Sequence, residues 1–219
     1  MRLLSTIRNA RDIARAGSFH LDAPLLRAEF RTDHRVSNRR FIAEMLPKKG
    51  VGVEIGVFTG LFSTVLLKAA QPSMAYFVDP WWEAHGENFP NWGSYTDNGR
   101  LSTRVAHDVA TKRIKSHAKG SETKVIVGFS EPFLAQIDDR HFDWVYIDSW
   151  HSYNGTVGEL AALRSKLKPG AIVAGDDWHD DPSHRHFGVA KAVREAVSRG
   201  EYQMISTFPS AQWAIRSID

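Results

Sequence analysis

The chain contains no cysteine in its 219 residues. Disulfides, thiolate metal sites and a cysteine nucleophile are thereby excluded, and the composition suits a reducing, cytoplasmic setting. No apolar run approaches the roughly 20 residues needed to cross a bilayer, so stable membrane insertion is not expected. No Lys/Arg run is interleaved with aromatic residues as a nucleic-acid groove requires. The net charge of +3 is mild, and a pI near 9.2 does not by itself imply such a partner. Internal repeats, low-complexity tracts and an apolar signal-peptide core are also missing.

What is present describes one α/β domain. A hydrophobic fraction of 42% is enough for a proper core, and the length predicts one domain with a small appendage. Residues 1–36 form that appendage. Leu3, Ile7, Ala10 and Ala14 make an apolar stripe among Arg2, Arg8, Arg11 and Arg15. The pattern predicts an amphipathic helix packed on the domain or on a second subunit, as in a homodimer. An Arg-rich targeting segment has the same appearance.

The domain proper is read as residues 37–219. Ser37 caps a helix carrying Phe41, Ile42, Met45 and Leu46, which Pro47 and Gly50 end. Short apolar runs bounded by turn residues read as buried strands of a parallel sheet. They fall at Val51–Ile55, Ala75–Val78, Val125–Val127, Trp144–Ile147 and Ala171–Ala174, with helical patterns between them. A helix around Val189–Val197 and two closing strands, Tyr202–Thr207 and Gln212–Arg216, complete the pattern. The expected fold is a doubly wound, Rossmann-like sheet of seven strands, mostly parallel with an antiparallel last strand, and helices on both faces. The pattern lapses over residues 80–100, where Trp81, Trp82, Phe89, Trp92 and Tyr95 cluster. A long aromatic insertion of this kind is expected to form a lid or substrate wall.

Chemistry is expected at the carboxyl ends of the strands. The fourth run ends in Asp148 and the fifth in Asp176-Asp177. If these strands are neighbours, about 4.8 Å apart, three carboxylates converge and repel unless a cation sits among them. Glu54-Ile55-Gly56-Val57-Phe58-Thr59-Gly60 stands at a strand-to-helix turn. Its glycines are four apart rather than in the G-x-G-x-x-G spacing of a pyrophosphate cradle, and the carboxylate of Glu54 suits an ammonium or sulfonium instead. Asp79, ending the second strand, is placed to accept hydrogen bonds from ribose hydroxyls.

These stretches resemble the class I S-adenosylmethionine-dependent methyltransferases over most of Val51–Arg216. The closest likeness is to the cation-dependent, catechol-type O-methyltransferases and related bacterial small-molecule enzymes. VEIGVFTG, VDPW, VIVGFSE, YIDSWHSY and AGDDW carry the resemblance. It implies that Gly56, Phe58 and Gly60 line the methionine end of the cofactor, with Glu54 nearby. It implies ribose at Asp79 and adenine bordered by Ser130 and Trp150. Ser63, which stands later than the family's serine because Leu61 and Phe62 intervene, and Asp148 join that cofactor-binding set. It further implies a Mg²⁺ or other divalent site at Asp148, Asp176 and Asp177. Two departures stand out: Asp177 occupies an asparagine position, and His151 aligns with the family's catalytic lysine.

The expected reaction is O-methylation of a small-molecule hydroxyl on a phenol, vicinal diol or sugar. Methyl transfer from a sulfonium is an in-line displacement, so the enzyme must align nucleophile, methyl carbon and sulfur. A hard cation lowers the pKa of a bound hydroxyl, and His151, with an ordinary pKa of about 6.5, is the candidate base beside Asp148. The alternatives are a metal-independent methyltransferase that uses His151 or another base, and a cofactor-binding module without turnover. A second cluster, His179, Asp180, Asp181, His184 and His186, has the mixed ligands of a Zn²⁺ or Fe²⁺ site or lines the substrate entrance.

Overall fold

The computed structural model describes residues 23–218. The stripe over residues 3–14 lies outside them. The apolar runs pair as strands β1 (Val51–Ile55), β2 (Met74–Asp79), β3 (Glu122–Val127), β4 (Phe142–Ile147) and β5 (Leu167–Gly175), followed by β6 (Tyr202–Phe208) and β7 (Gln212–Ser217). They form one sheet in the order β3-β2-β1-β4-β5-β7-β6. The first five strands pair in parallel with one another, and β7 runs antiparallel to both β5 and β6. The chain leaves β1 toward β2 and β3, then crosses back to place β4 on the other side of β1. In doubly wound sheets, ligands bind beyond the carboxyl ends of the strands at such a reversal, here between β1 and β4.

Strand β5 begins earlier than the expected Ala171. Pro169 and Gly170 read as a turn, but they lie inside the strand, where the pairing with β4 shifts register between Phe142 and Trp144. Gly170 takes φ +77° there.

Eight α-helices cover the two faces among the described residues: α1 (Ala23–Asn38), α2 (Arg40–Glu44), α3 (Leu61–Ala70), α4 (Trp81–His85), α5 (Thr103–His117), α6 (Ser130–Leu134), α7 (Tyr153–Leu163) and α8 (Phe187–Ser198). Alternation along β4 divides the core. Trp144 and Tyr146 point to the face that also buries Leu25, Ile42, Phe62, Leu66 and Ile114. Val145 and Ile147 point to the face filled by Phe133, Leu160, Leu163, Val189 and Val193. Two serines start helices: Ser102 accepts from the Val105 N–H at α5, and Ser152 from the Gly155 N–H at α7.

The helix start expected at Ser37 is corrected. Helix α1 runs through to Asn38, and Arg39, at φ −99° and ψ 1°, breaks the chain before α2. The misreading has a physical cause: α1 is rich in charge, and ion pairs help to dock it. Arg27 pairs with Asp97 at 2.7 Å. Glu29, 1% exposed, pairs with Arg113 of α5, with Nη2 donating to Oε2 at 2.8 Å. Helix α1 therefore crosses position 36 and packs into the fold, with Leu25 and Ala28 buried.

Residues 80–100 contain α4 and a 3₁₀ turn at Gly93–Thr96. Trp81, Phe89, Thr96 and Asp97 are buried, so the insertion is packed against the domain. Phe58 stacks on Tyr95 with ring centroids 4.7 Å apart, which joins the insertion to the turn after β1.

Candidate active site at the carboxyl ends of the strands

The turn after β1 is built by a carboxylate from β2. Asp79 Oδ2 accepts from the Val57 and Phe58 N–H groups, both at 2.9 Å, and Oδ1 from the Trp81 N–H at 2.8 Å. Burial pushes the Asp79 carboxyl up, against the three N–H groups that favour its charged form. These bonds hold Gly56, Phe58 and Gly60 at φ +89°, +54° and +73°. Gly56 has a steric reason as well: a Cβ there would lie 2.0 Å from the Asp148 carbonyl oxygen. Below the turn, Trp81 Nε1 donates to the Phe58 carbonyl at 2.9 Å and Arg113 Nη1 to the Thr59 carbonyl at 2.9 Å.

Glu54 is 1% exposed, which rules out a surface acid. Ser63 is fully buried and donates its hydroxyl to Glu54. Burial drives the Glu54 carboxyl well above its usual range. The pair lies beneath the turn, so Ser63 supports Glu54 in this arrangement.

Strands β4 and β5 are neighbours, with Ile147 opposite Gly175. Asp148 and Asp176 therefore stand side by side just past the strand ends, and Asp177 follows at φ +63°. One oxygen from each of Asp148, Asp176 and Asp177 lies within 4.8 Å of the others. A residue outside the expected set joins them. Arg39, its side chain 5% exposed, places Nη1 2.7 Å from Asp148 Oδ2 and 3.0 Å from Asp176 Oδ2. Gln212 of β7 donates to Asp176 Oδ1 and accepts from the Tyr146 hydroxyl at 2.8 Å. Burial, then the charge of Asp148, pushes Asp176 up to about 7 despite Arg39. One guanidinium does not neutralise three carboxylates.

His151 sits just before α7, at φ +48°, and its Nδ1 lies 2.8 Å from Asp177 Oδ2. Its Nε2 is 3.9 Å from Asp148 Oδ1. Burial pulls the imidazole pKa down, but the Asp177 bond and the charges of Asp148, Asp177 and Asp176 raise it on balance.

Beyond β3 and β4, Phe129 and Trp150 present parallel, exposed rings, with centroids 6.2 Å apart and planes 6° from each other. Ser130 turns inward and donates to Glu159 at 3.0 Å, as Ser149 does at 2.6 Å. Burial pushes Glu159 up to about 7.

The second cluster divides. Asp180 accepts from Trp178 Nε1 at 3.1 Å and pairs with Arg194, while Asp181 accepts from the Ser183 N–H and hydroxyl. These two acids shape the loop. His179 stacks on His184 at 3.5 Å, and His179 and His186 approach Asp177 at 3.9 Å and 3.7 Å.

Sequence reasoning missed Arg39, Gln212, Phe129 and Glu159. Arg39 is one of three arginines in RVSNRR, and Glu159 reads as one more polar position of a helix. Their roles come from contacts with residues far away in the chain. Only the exposed Phe129, inside VIVGFSE after β3, had a local signal.

Comparison with known proteins agrees with this architecture. A family model described as a methyltransferase domain matches residues 53–178. No curated protein matches in sequence. Among solved structures, an O-methyltransferase from Bacillus cereus in complex with SAH is similar at 13% identity and TM-score 0.55, over 100% of this chain and 90% of that one. TomG, an O-methyltransferase of tomaymycin synthesis from Streptomyces achromogenes in complex with SAM, is 18% identical at TM-score 0.56, over 94% and 89%. The N-methyltransferase NodS from Bradyrhizobium japonicum is 13% identical at TM-score 0.57, over 85% and 96%. At these identities the likeness is one of fold.

Proposed function

The chain belongs to the methyltransferase-domain family and is an S-adenosylmethionine-dependent enzyme of class I, and on that premise we propose that it methylates a hydroxyl oxygen of a small molecule, with His151 as the base. The observation that carries this reading is the bond between His151 Nδ1 and Asp177 Oδ2 at 2.8 Å. Asp177 keeps the proton of neutral His151 on Nδ1, which leaves the Nε2 lone pair to accept a proton.

The residues present fit the cofactor. The Gly56–Gly60 turn accommodates the methionine end, Asp79 retains acceptor capacity for ribose, and the parallel faces of Phe129 and Trp150 suit a flat purine. Bound there, S-adenosylmethionine would supply an electrophilic methyl carbon with its sulfur as the leaving group, and His151 Nε2 would take the proton of the attacking hydroxyl. Trp92, 45% exposed, and the packed 80–100 wall offer apolar faces for a phenol or sugar ring.

The carboxylates also fit a hard divalent cation. Asp148, Asp176 and Asp177 would hold it, because Arg39 leaves net negative charge and each oxygen bonded to Arg39 or Gln212 keeps a second lone pair. Such an ion would lower the pKa of a coordinated hydroxyl. A second reading is favoured by the Arg39 contacts themselves: the guanidinium serves as the resident cation, and His151 acts without metal.

The test is methyl transfer to a catechol and to a vicinal-diol acceptor, with and without strong chelator, followed by Mg²⁺ addition. Loss on chelation and recovery with Mg²⁺ supports the metal-assisted reading. Transfer indifferent to chelator supports the Arg39 reading. Failure to bind S-adenosylmethionine at all removes both.

A further inference from the structure

The histidines around Asp177 form a nitrogen-rich set that the proposed reaction does not use as a whole. His151, Asp177 and His186 each offer one ligand atom within 4.8 Å of the others. His151 Nδ1 is 2.8 Å from Asp177 Oδ2, and His186 Nδ1 is 3.7 Å from the same oxygen. The imidazoles meet edge to face with centroids 5.1 Å apart. A tetrahedral ion with bonds of about 2.1 Å sets its ligands about 3.4 Å apart, between those two distances. A separate observation points the same way. His186 Nδ1 is buried without a hydrogen-bond partner of good geometry, in a side chain 13% exposed that also faces the His151 backbone. A buried polar nitrogen left unsatisfied is costly unless a ligand completes it.

We infer that His151 Nδ1, His186 Nδ1 and Asp177 Oδ2 form a binding site for a borderline transition-metal ion, with Zn²⁺ as the representative, which shares Asp177 with the all-oxygen set at Asp148, Asp176 and Asp177 but takes its other ligands from nitrogen. Imidazole nitrogens suit zinc, whereas an all-oxygen set suits magnesium. His179 Nε2, 3.9 Å from Asp177 Oδ1, stands beside the site, where water or His179 completes the coordination. Arg185, exposed, now donates to His186 Nε2. It must turn away on binding, because metal at Nδ1 places the imidazole proton on Nε2.

The same tautomer shift occurs in His151. With the ion on Nδ1, Nε2 carries the proton and has no lone pair to accept another. Zinc bound here therefore blocks the base, a consequence that rests on the function proposed above. The site itself does not depend on that function.

The experiment is a calorimetric titration of chelator-stripped full-length protein with Zn²⁺, repeated with Co²⁺ while its visible absorption is followed. Wild type, His186→Ala and Asp148→Asn are compared, each first shown to unfold cooperatively. Wild type should bind one Zn²⁺ and give the absorption of nitrogen-ligated Co²⁺. His186→Ala should bind at least about tenfold more weakly, while Asp148→Asn binds as wild type. No zinc binding by wild type, unchanged binding in His186→Ala, or an equal loss in Asp148→Asn overturns the assignment. None of these readouts requires turnover, so the site and the reaction can fail separately.

Discussion

Arg39 and Asp148 are 109 positions apart in the chain, and Arg39 Nη1 donates to Asp148 Oδ2 at 2.7 Å. The same nitrogen lies 3.0 Å from Asp176 Oδ2. Asp176 is 3% exposed, so without Arg39 two adjacent carboxylates would share a poorly solvated corner. Removing one partner of a buried pair typically costs about 3–5 kcal/mol. Arg39→Ala should lower the unfolding free energy by about that amount in urea melts without divalent ions. Adding Mg²⁺ should restore part of the loss if the carboxylates take a metal. A variant as stable as wild type would show that Arg39 does not neutralise this corner.

Asp79 makes a second prediction, through the shape of the cofactor turn. Its carboxylate accepts three backbone N–H bonds, and two of them fix the turn at Val57 and Phe58. Asp79→Ala leaves those donors without their acceptor. Bonds to a charged group contribute about 1.5–3 kcal/mol each, and about 1.4 kcal/mol is tenfold in affinity. S-adenosylmethionine should therefore bind at least about tenfold more weakly, as read by calorimetry, while the sheet keeps its circular-dichroism spectrum. Unchanged affinity would mean that the turn holds its form without Asp79.

Where the sequence was legible, the relevant signal was local. Val51–Ile55 and Gln212 onward are read as strands because apolar residues end abruptly at glycine, proline or acid. The convergence of Asp148 with Asp176 follows from one further step, the adjacency of β4 and β5. Arg39 had no such signal, because its partners stand just past β4 and β5 and the helix that precedes it is held partly by charge. Asp79 was legible as an acid at a strand end, yet its bonds to Val57 and Phe58 depend on how tightly the turn folds back over β2. The start of β5 was obscured because Pro169 and Gly170 mark turns in most contexts and here occupy an irregular strand.

Glu159 predicts a pH effect. It is 2% exposed, and burial raises its carboxyl to about 7, against the hydroxyls of Ser149 and Ser130 that favour the charged form. The folded state thus holds its proton more tightly than the unfolded chain, where the value is about 4.5. Between those limits the folded state binds more protons, so stability contributed by this group is present below about 4.5 and falls as pH rises toward 7. Glu159→Gln has no charge to bury. The stability of the variant relative to wild type should rise between pH 5 and pH 8, by up to about 3 kcal/mol. Denaturant melts across that range check it, and parallel pH curves for the two proteins would refute it.

His151 carries the last prediction, because it separates chemistry from binding. Its Nδ1 is held by Asp177, and it makes none of the bonds that shape the Gly56–Gly60 turn. His151→Ala should leave S-adenosylmethionine affinity within about twofold of wild type, since general-base catalysis is a property of the transition state. Losing a positioned base typically slows turnover about 10²–10⁴-fold. That loss should appear in kcat, measured with whichever catechol or diol the wild type methylates and with Mg²⁺ present. The all-carboxylate set does not include His151, so added metal should not restore the rate. A kcat within about threefold of wild type would assign proton removal to another group, leaving Asp177 and His151 as a structural pair that shapes the start of α7.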